Sequence, residues 1–224
     1  MFRRYAIYVT PDGLLGQRGA AWLGWDMAQA CCVPHPDVQG LDVAKTTNRP
    51  RKYGFHGTIK PPMVLKNETS VEELKSQASA ITNDLAPVTL DGLGLSRIGG
   101  FLALTAVGET NALATMAATI VKGLDAFRAP ATPEELARRR QNSLSPSQEG
   151  NLTLWGYPYV MEEFRFHITL TGPLKDAETI APIVSAHFAP VLPAPYLIDH
   201  LTLAGEDSDG MFHSISRLPL RGRI

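Results

Sequence analysis

Apolar and polar positions alternate from Tyr5 to Thr10, with Tyr5, Ile7 and Val9 on one face, and Pro11-Asp12-Gly13 ends the run in a turn. Such alternation predicts a half-buried strand. Gln17 to Cys32 carries Leu23, Met27 and Ala30 at helical spacing, and Val33 to Arg51 holds four prolines or glycines and reads as a loop. Tyr53 to Pro61 predicts a short strand stopping at Pro61-Pro62. Ser70 with Glu73 three residues on forms a capping box, and Val71, Leu74, Ala78, Ile81 and Leu85 follow on one helical stripe. Two strands come next, Val88 to Arg97 and Phe101 to Val107, joined by Gly99-Gly100. Thr110 is placed to cap a helix whose stripe is Leu113, Met116, Ile120, Leu124 and Phe127.

From Ala129 to Asn151 the pattern breaks into Pro, Ser, Arg and Gln. Thr132-Pro133-Glu134-Glu135 starts a short helix that ends near Arg138-Arg139-Arg140, and the stretch reads as an insertion. Phe164 to Thr171 has the clearest strand alternation, Glu178 to Phe188 is helical, and Leu197 to Leu203 and Met211 to Leu218 predict closing strands. Strands and helices thus mix without a long Gly-rich phosphate loop. The expected fold is α+β and bilobed: two pseudo-symmetric lobes of mostly antiparallel sheet with packed helices and a central cleft.

Two segments repeat. Phe55-His56-Gly57-Thr58-Ile59-Lys60-Pro61-Pro62 matches Phe166-His167-Ile168-Thr169-Leu170-Thr171-Gly172-Pro173 at Phe, His, Thr and the last Pro, and Ile59 stands opposite Leu170. Each is followed by a helix and two strands, so the whole chain reads as one domain with a first copy over about 53–107 and a second over about 160–218. Strand geometry puts Phe55 and Ile59 inward and His56, Thr58 and Lys60 on the other face. In the second copy Phe166, Ile168 and Leu170 turn inward, and His167, Thr169 and Thr171 face out. Each copy presents an imidazole beside a hydroxyl.

Cleaving a phosphodiester requires a base to activate the attacking oxygen and an acid to protonate the leaving one. Two histidines titrating near neutrality suit both tasks. Thr58, Thr169 and Lys60 are expected to hold phosphate oxygens and stabilise charge there. The paired Phe-His-x-Thr motifs resemble the two-histidine (2H) phosphoesterase superfamily, which includes RNA ligase-like cyclic phosphodiesterases. The string Tyr53-Gly54-Phe55-His56 through Lys60-Pro61-Pro62, with Trp155-Gly156-Tyr157-Pro158-Tyr159, resembles a branch associated with phosphonate-utilisation operons. That resemblance implies a bilobed fold, chemistry without a metal or other cofactor, and catalytic roles for His56, Thr58, His167 and Thr169. It does not settle the substrate; the expected one is a small cyclic phosphodiester, for example a ribose cyclic phosphate, or a nucleotide or an RNA end.

Composition narrows the partners. With 21 basic and 22 acidic residues the net charge is −1, which does not fit a nonspecific polyanion binder and disfavours ligation on long RNA. No apolar run reaches membrane-spanning length, and the basic start Met1-Phe2-Arg3-Arg4-Tyr5 lacks the apolar stretch of a signal peptide, so a cytoplasmic, non-membrane protein is expected. Adjacent Cys31 and Cys32 suit neither an unstrained disulfide nor zinc spacing and read as small apolar filler. Arg51 and Lys52 precede the first motif, either in reach of the phosphate or as solvated loop charges. Arg138, Arg139 and Arg140 bind an anionic substrate or form a solvated helix face. Trp155, Tyr157 and Tyr159 stack on a base or sugar, or fill core. Tyr8 is a candidate cleft residue, whereas His35, His187, His200 and His213 lack a paired context. A rival reading is a sensor that binds a phosphorylated metabolite or nucleotide without turnover. A metal held by the histidines ranks last, because no Asp, Glu or Cys completes a ligand set beside either motif.

Overall fold

In the computed structural model, which describes residues 2–141 and 143–223, the secondary structure falls into two successive βαβαββ units. The first runs through β1 (Arg4–Val9), α1 (Gly13–Leu23), the short β2 (Trp25–Asp26), β3 (Cys31–Cys32) and α2 (Val43–Thr46), then β4 (Gly57–Met63), α3 (Val71–Asp84), β5 (Val88–Leu90) and β6 (Gly92–Ile98). The second runs through β7 (Phe101–Val107), α4 (Asn111–Gly123), α5 (Pro133–Arg139), α6 (Pro146–Trp155), β8 (His167–Thr169), α7 (Ala177–Phe188), β9 (Tyr196–Ile198) and β10 (His200–Glu206), with β11 (Phe212–Pro219) appended.

The principal sheet has the order β11-β10-β1-β4-β8-β7-β6, and every neighbouring pair in it is antiparallel. It divides into two lobes. One holds β11, β10, β1 and β4, the other β8, β7 and β6, and the register across the divide is the pair Gly57↔Ile168. The last strand of each unit crosses to the other lobe: β6 pairs with β7 of the second unit, and β10 pairs with β1 of the first. This is the bilobed antiparallel α+β architecture that the sequence pattern implies.

The copy boundaries shift. Counting a helix and two strands after each motif put Phe101 to Val107 at the end of the first copy. In the sheet β7 lies beside β8 as β1 lies beside β4, so it opens the second unit. The stretch from Ala129 to Asn151 also has a counterpart, because the first unit carries β2, β3 and α2 at the same place, between its first helix and its motif strand. It contains a second helix, α6, which runs on to Trp155.

Local chemistry sets several boundaries. α1 stops at Leu23 instead of continuing to Cys32, because Gly24 takes a left-handed conformation with φ 78°. A side chain there would also strike the His35 ring, 2.5 Å from where its Cβ would stand. Cys31 and Cys32 are therefore exposed strand residues with free thiols, not buried filler. The Ser70–Glu73 capping box forms at the start of α3, whereas Thr110 makes no side-chain cap bond to α4.

The helices cover one face of the sheet. Ile7, Ile59, Leu102, Leu104, Ile168 and Leu170 are each at most 1% exposed there. The opposite face of the first lobe carries a smaller cluster of Ala6, Tyr8, Trp25, Met27, Ala204 and Phe212. That cluster is the floor on which the motif residues rest.

Candidate active site

β4 and β8 lie side by side at the centre of the sheet with Gly57 opposite Ile168. Antiparallel register carried one residue each way sets His56 beside Thr169 and His167 beside Thr58. The two motifs are thus related by a local two-fold axis, each imidazole next to the other's hydroxyl.

The two rings are anchored alike. His56 Nδ1 lies 3.0 Å from Gly54 O, and His167 Nδ1 lies 2.8 Å from Arg165 O. A carbonyl only accepts, so Nδ1 carries the hydrogen in both and Nε2 is left for the cleft. Thr58 Oγ1 stands 3.1 Å from His56 Nε2 and donates to it.

Their surroundings differ. Tyr8 pairs with Thr58, and in the other lobe Ala103 pairs with Thr169 at the equivalent position. The Tyr8 ring lies 3.7 Å, centroid to centroid, from the His56 ring. Burial pushes the His56 imidazole down from 6.5 to about 4; the Gly54 bond opposes the shift and the charge of His167 adds to it. His56 is therefore neutral near pH 7, with its Nε2 lone pair accepting from Thr58. His167 is half-buried, its ring 5.9 Å from that of Phe101, which lines the cleft, but it is not itself among the cleft-lining residues.

The cleft has two adjoining hollows of about 720 and 450 Å³ that share Tyr53, His56, Tyr157 and Thr169. The larger also takes Tyr8 and Thr58 from the floor, Arg4 from β1, Lys52 from the loop before the motif, and Arg138 and Arg139 from α5. Arg139 stacks on Tyr157 at 4.6 Å and bonds Glu135 at 3.0 Å. Tyr157 and Arg139, expected as candidate substrate contacts, are cleft residues, and so is Tyr8.

Three expectations fail. Lys60 does not share a face with His56 and Thr58: Ile7 pairs with Lys60 while Tyr8 pairs with Thr58, so the strand bulges at Ile59 and the phase flips. The Lys60 side chain enters the helix-facing core, donates to Val121 O at 3.0 Å, lies 3.5 Å from Asp125 and is 2% exposed. Arg51 is spent on structure, donating to Leu23 O and Ala44 O and touching His35 Nε2. Its neighbour Lys52 faces the cleft instead. Arg140 turns away to Glu149, 2.5 Å from its Oε1. Of the other aromatics weighed, Trp155 belongs to α6 and Tyr159 is 44% exposed; neither is among the cleft-lining residues.

Arg4 is the residue that the motif search missed. It shares the alternation of Ala6 and Tyr8 along β1, so the strand pattern carried the signal. Its guanidinium is held by Glu206 at 2.5 and 2.6 Å. Among the described residues no three His, Cys, Asp or Glu side chains converge as a metal site, and no helix is long and apolar enough to cross a membrane.

Comparison with known proteins gives three findings. A family model described as "Protein of unknown function (DUF1045)" matches residues 58–213. The chain is 36% identical over 232 residues to a ribose 1,5-bisphosphate phosphokinase PhnN of Janthinobacterium sp. (strain Marseille), covering 98% of this chain and 51% of that protein. It is 29% identical over 219 residues to the PhnN of Laribacter hongkongensis (strain HLHK9), covering 96% and 51%. The chain spans about half the length of these curated relatives. Among solved structures it is similar to TT0787 of Thermus thermophilus, with TM-score 0.49, 15% identity and 99% and 100% coverage. It is also similar to E. coli LigT complexed with 3'-AMP, with TM-score 0.47, 15% identity and 98% and 99% coverage.

Proposed function

The chain belongs to the DUF1045 family of proteins of unknown function, and we propose that it is a two-histidine phosphodiesterase acting on a small cyclic phosphodiester without a metal. The observation that supports this reading is the local two-fold at Gly57 and Ile168, which sets two identically anchored imidazoles on adjacent central strands, each next to the other's threonine by register.

His56, held neutral, is the base and takes a proton from water through Nε2. The water oxygen bonds to phosphorus, the P–O bond to the leaving alkoxide breaks, and His167 protonates that alkoxide. The products are a phosphomonoester and a free hydroxyl within one molecule. Thr169 donates to one non-bridging oxygen, and Thr58 turns its hydroxyl from His56 Nε2 to the other, which frees that lone pair for the water and stabilises the negative charge growing on both oxygens.

The relatives' name describes a kinase for a ribose carrying two phosphoryl groups. This chain has no Gly-x4-Gly-Lys-Ser/Thr phosphate loop, which supports assigning the kinase to the half of those relatives that lies outside the match. Fusion of that half to this one favours a sugar phosphate of related chemistry, such as a ribose cyclic phosphate, over a long RNA.

The test is turnover of a panel of cyclic phosphodiesters with and without EDTA, by the wild type and by His56→Ala and His167→Ala. Turnover that resists EDTA and falls about 10²–10⁴-fold in each variant is expected. No turnover of any member favours the sensor reading, and a single-histidine variant with the wild-type rate ends the paired assignment.

A further inference from the structure

Two buried polar atoms without a partner belong to the same cleft. The Tyr8 hydroxyl and the Arg139 Nε are both shielded from solvent and neither has a hydrogen-bond acceptor. Tyr8 rises from the floor on β1 and Arg139 descends from α5, and both line the larger hollow. The third such atom among the described residues, His187 Nε2, lies elsewhere, beside Trp22. Buried donors in native proteins are nearly always paired, so an orphaned pair in one hollow points to a ligand that supplies acceptors.

The charge around them has one sign. Arg4, Lys52, Arg138 and Arg139 line the hollow against the single carboxylate of Glu135. Glu206 cancels Arg4, and Glu135, 3.0 Å from Arg139 and 3.9 Å from the largely exposed Arg138, offsets only one of that pair, which leaves Lys52 and one arginine charge in excess. A phosphodiester between the histidines brings one negative charge, and the Thr58 and Thr169 hydroxyls serve it. The Tyr8 and Arg139 donors, with Lys52 and Arg138, are left over.

We propose that these residues form a second-anion subsite, so that the substrate is a phosphodiester bearing a separate phosphomonoester. The proposal rests on the phosphodiesterase reading of the same cleft. The dianion has three terminal oxygens to accept from Tyr8 Oη, the unpaired Arg139 Nε and Lys52, which matches donors and charge together. Arg139 is positioned for this by its stacking on Tyr157, whereas Arg140, one residue on, is bound to Glu149 and takes no part.

The probes are uridine 2',3'-cyclic phosphate and its 5'-phosphorylated form. Wild-type kcat/KM is expected to be about 10–100-fold higher for the phosphorylated compound, the size of a hydrogen-bonded charge. Arg139→Ala and, to a smaller degree, Tyr8→Phe should reduce that ratio toward one by raising KM for the phosphorylated compound, while Arg140→Ala leaves it unchanged. Binding of both compounds to His167→Ala, which turns over slowly, gives an independent reading, with the same preference expected and the same loss on adding Arg139→Ala. Equal kcat/KM and equal binding of the two compounds overturn the subsite, as does an Arg140→Ala effect matching that of Arg139→Ala. If neither compound is hydrolysed but the binding preference and its loss persist, the phosphodiesterase reading fails and the subsite stands.

Discussion

Gly57 sits at the joint of the two lobes, and adding one methyl group there tests whether the joint sets the geometry of the site. A Cβ at Gly57 would lie 2.3 Å from Phe166 Cε2 and 2.6 Å from its Cζ. Carbon atoms in contact stand about 3.5–4.0 Å apart, so the ring must retreat by more than about 1 Å. It has little freedom to do so, because Phe166 is 6% exposed and packed in the main core. The strain then passes to the next residue, His167, or to the Gly57↔Ile168 register itself. Overpacking of this kind costs about 1–3 kcal/mol. At about 2–4 °C per kcal/mol for a chain of this size, Tm should fall by about 2–12 °C. Activity should fall further than stability implies, because about 1 Å of misplacement between reacting groups costs about 10²-fold. The assay is thermal unfolding together with kcat on whichever cyclic phosphodiester the wild type turns over. Phe166→Leu supplies the cross-check: it removes the offending ring, so the double variant should recover about 0.5–3 kcal/mol relative to the sum of the single changes. Gly57→Ala with wild-type Tm and kcat, or a strictly additive double variant, would refute the idea that this contact holds the two histidines in register.

Two further outcomes follow from buried charge. With His56 held down to about 4 by burial, the acid limb of kcat/KM should appear near pH 4, and Tyr8→Ala, which uncovers the ring, should move it up toward 6.5; a limb that stays in place excludes His56 as the base. Burial likewise holds Lys60 down to about 8 from 10.5, against the upward pull of Asp125. Between those values the unfolded chain keeps a proton that the native chain has lost, so native stability should rise with pH across about 8–10.5. In Lys60→Met the rise should vanish in denaturant titrations while kcat persists, and a collapse of kcat would return Lys60 to the site.

What the sequence made legible is what repeats or alternates. The strand phase of the two motifs placed Phe55, Ile59, Phe166, Ile168 and Leu170 in the core and His56, Thr58, His167 and Thr169 on the other face, and their elements pair as neighbours. Lys60 was misplaced because a period of two holds only while the ladder is regular, and nothing in Thr58-Ile59-Lys60 announces a bulge. Arg51 and Lys52 are chemically alike in sequence; only the fold of the preceding loop decides that one bonds backbone carbonyls and the other faces the cleft. The unit boundaries were hidden for a related reason. Which motif a strand belongs to is a matter of sheet order, and the exchange of β6 and β10 between lobes leaves no local trace.

The proposed acid–base chemistry needs the two histidines to differ, and one difference lies on the strand next door. β1 and β7 occupy equivalent places in their lobes, and the residues paired with the motif threonines are Tyr8 in one and Ala103 in the other. An aromatic ring against His56 displaces water and destabilises the imidazolium. Some neighbours keep the symmetry: Val9 and Leu104 both turn into the core, and each histidine holds a carbonyl two residues before it. The difference between Tyr8 and Ala103 supports the proposed roles, with the base in the first copy and the acid in the second. The same tyrosine leaves its hydroxyl unpaired in the cleft. Under the proposed subsite, the tyrosine that distinguishes the two copies is also the one that reaches toward the rest of the substrate, which ties the role of each histidine to the orientation of the substrate.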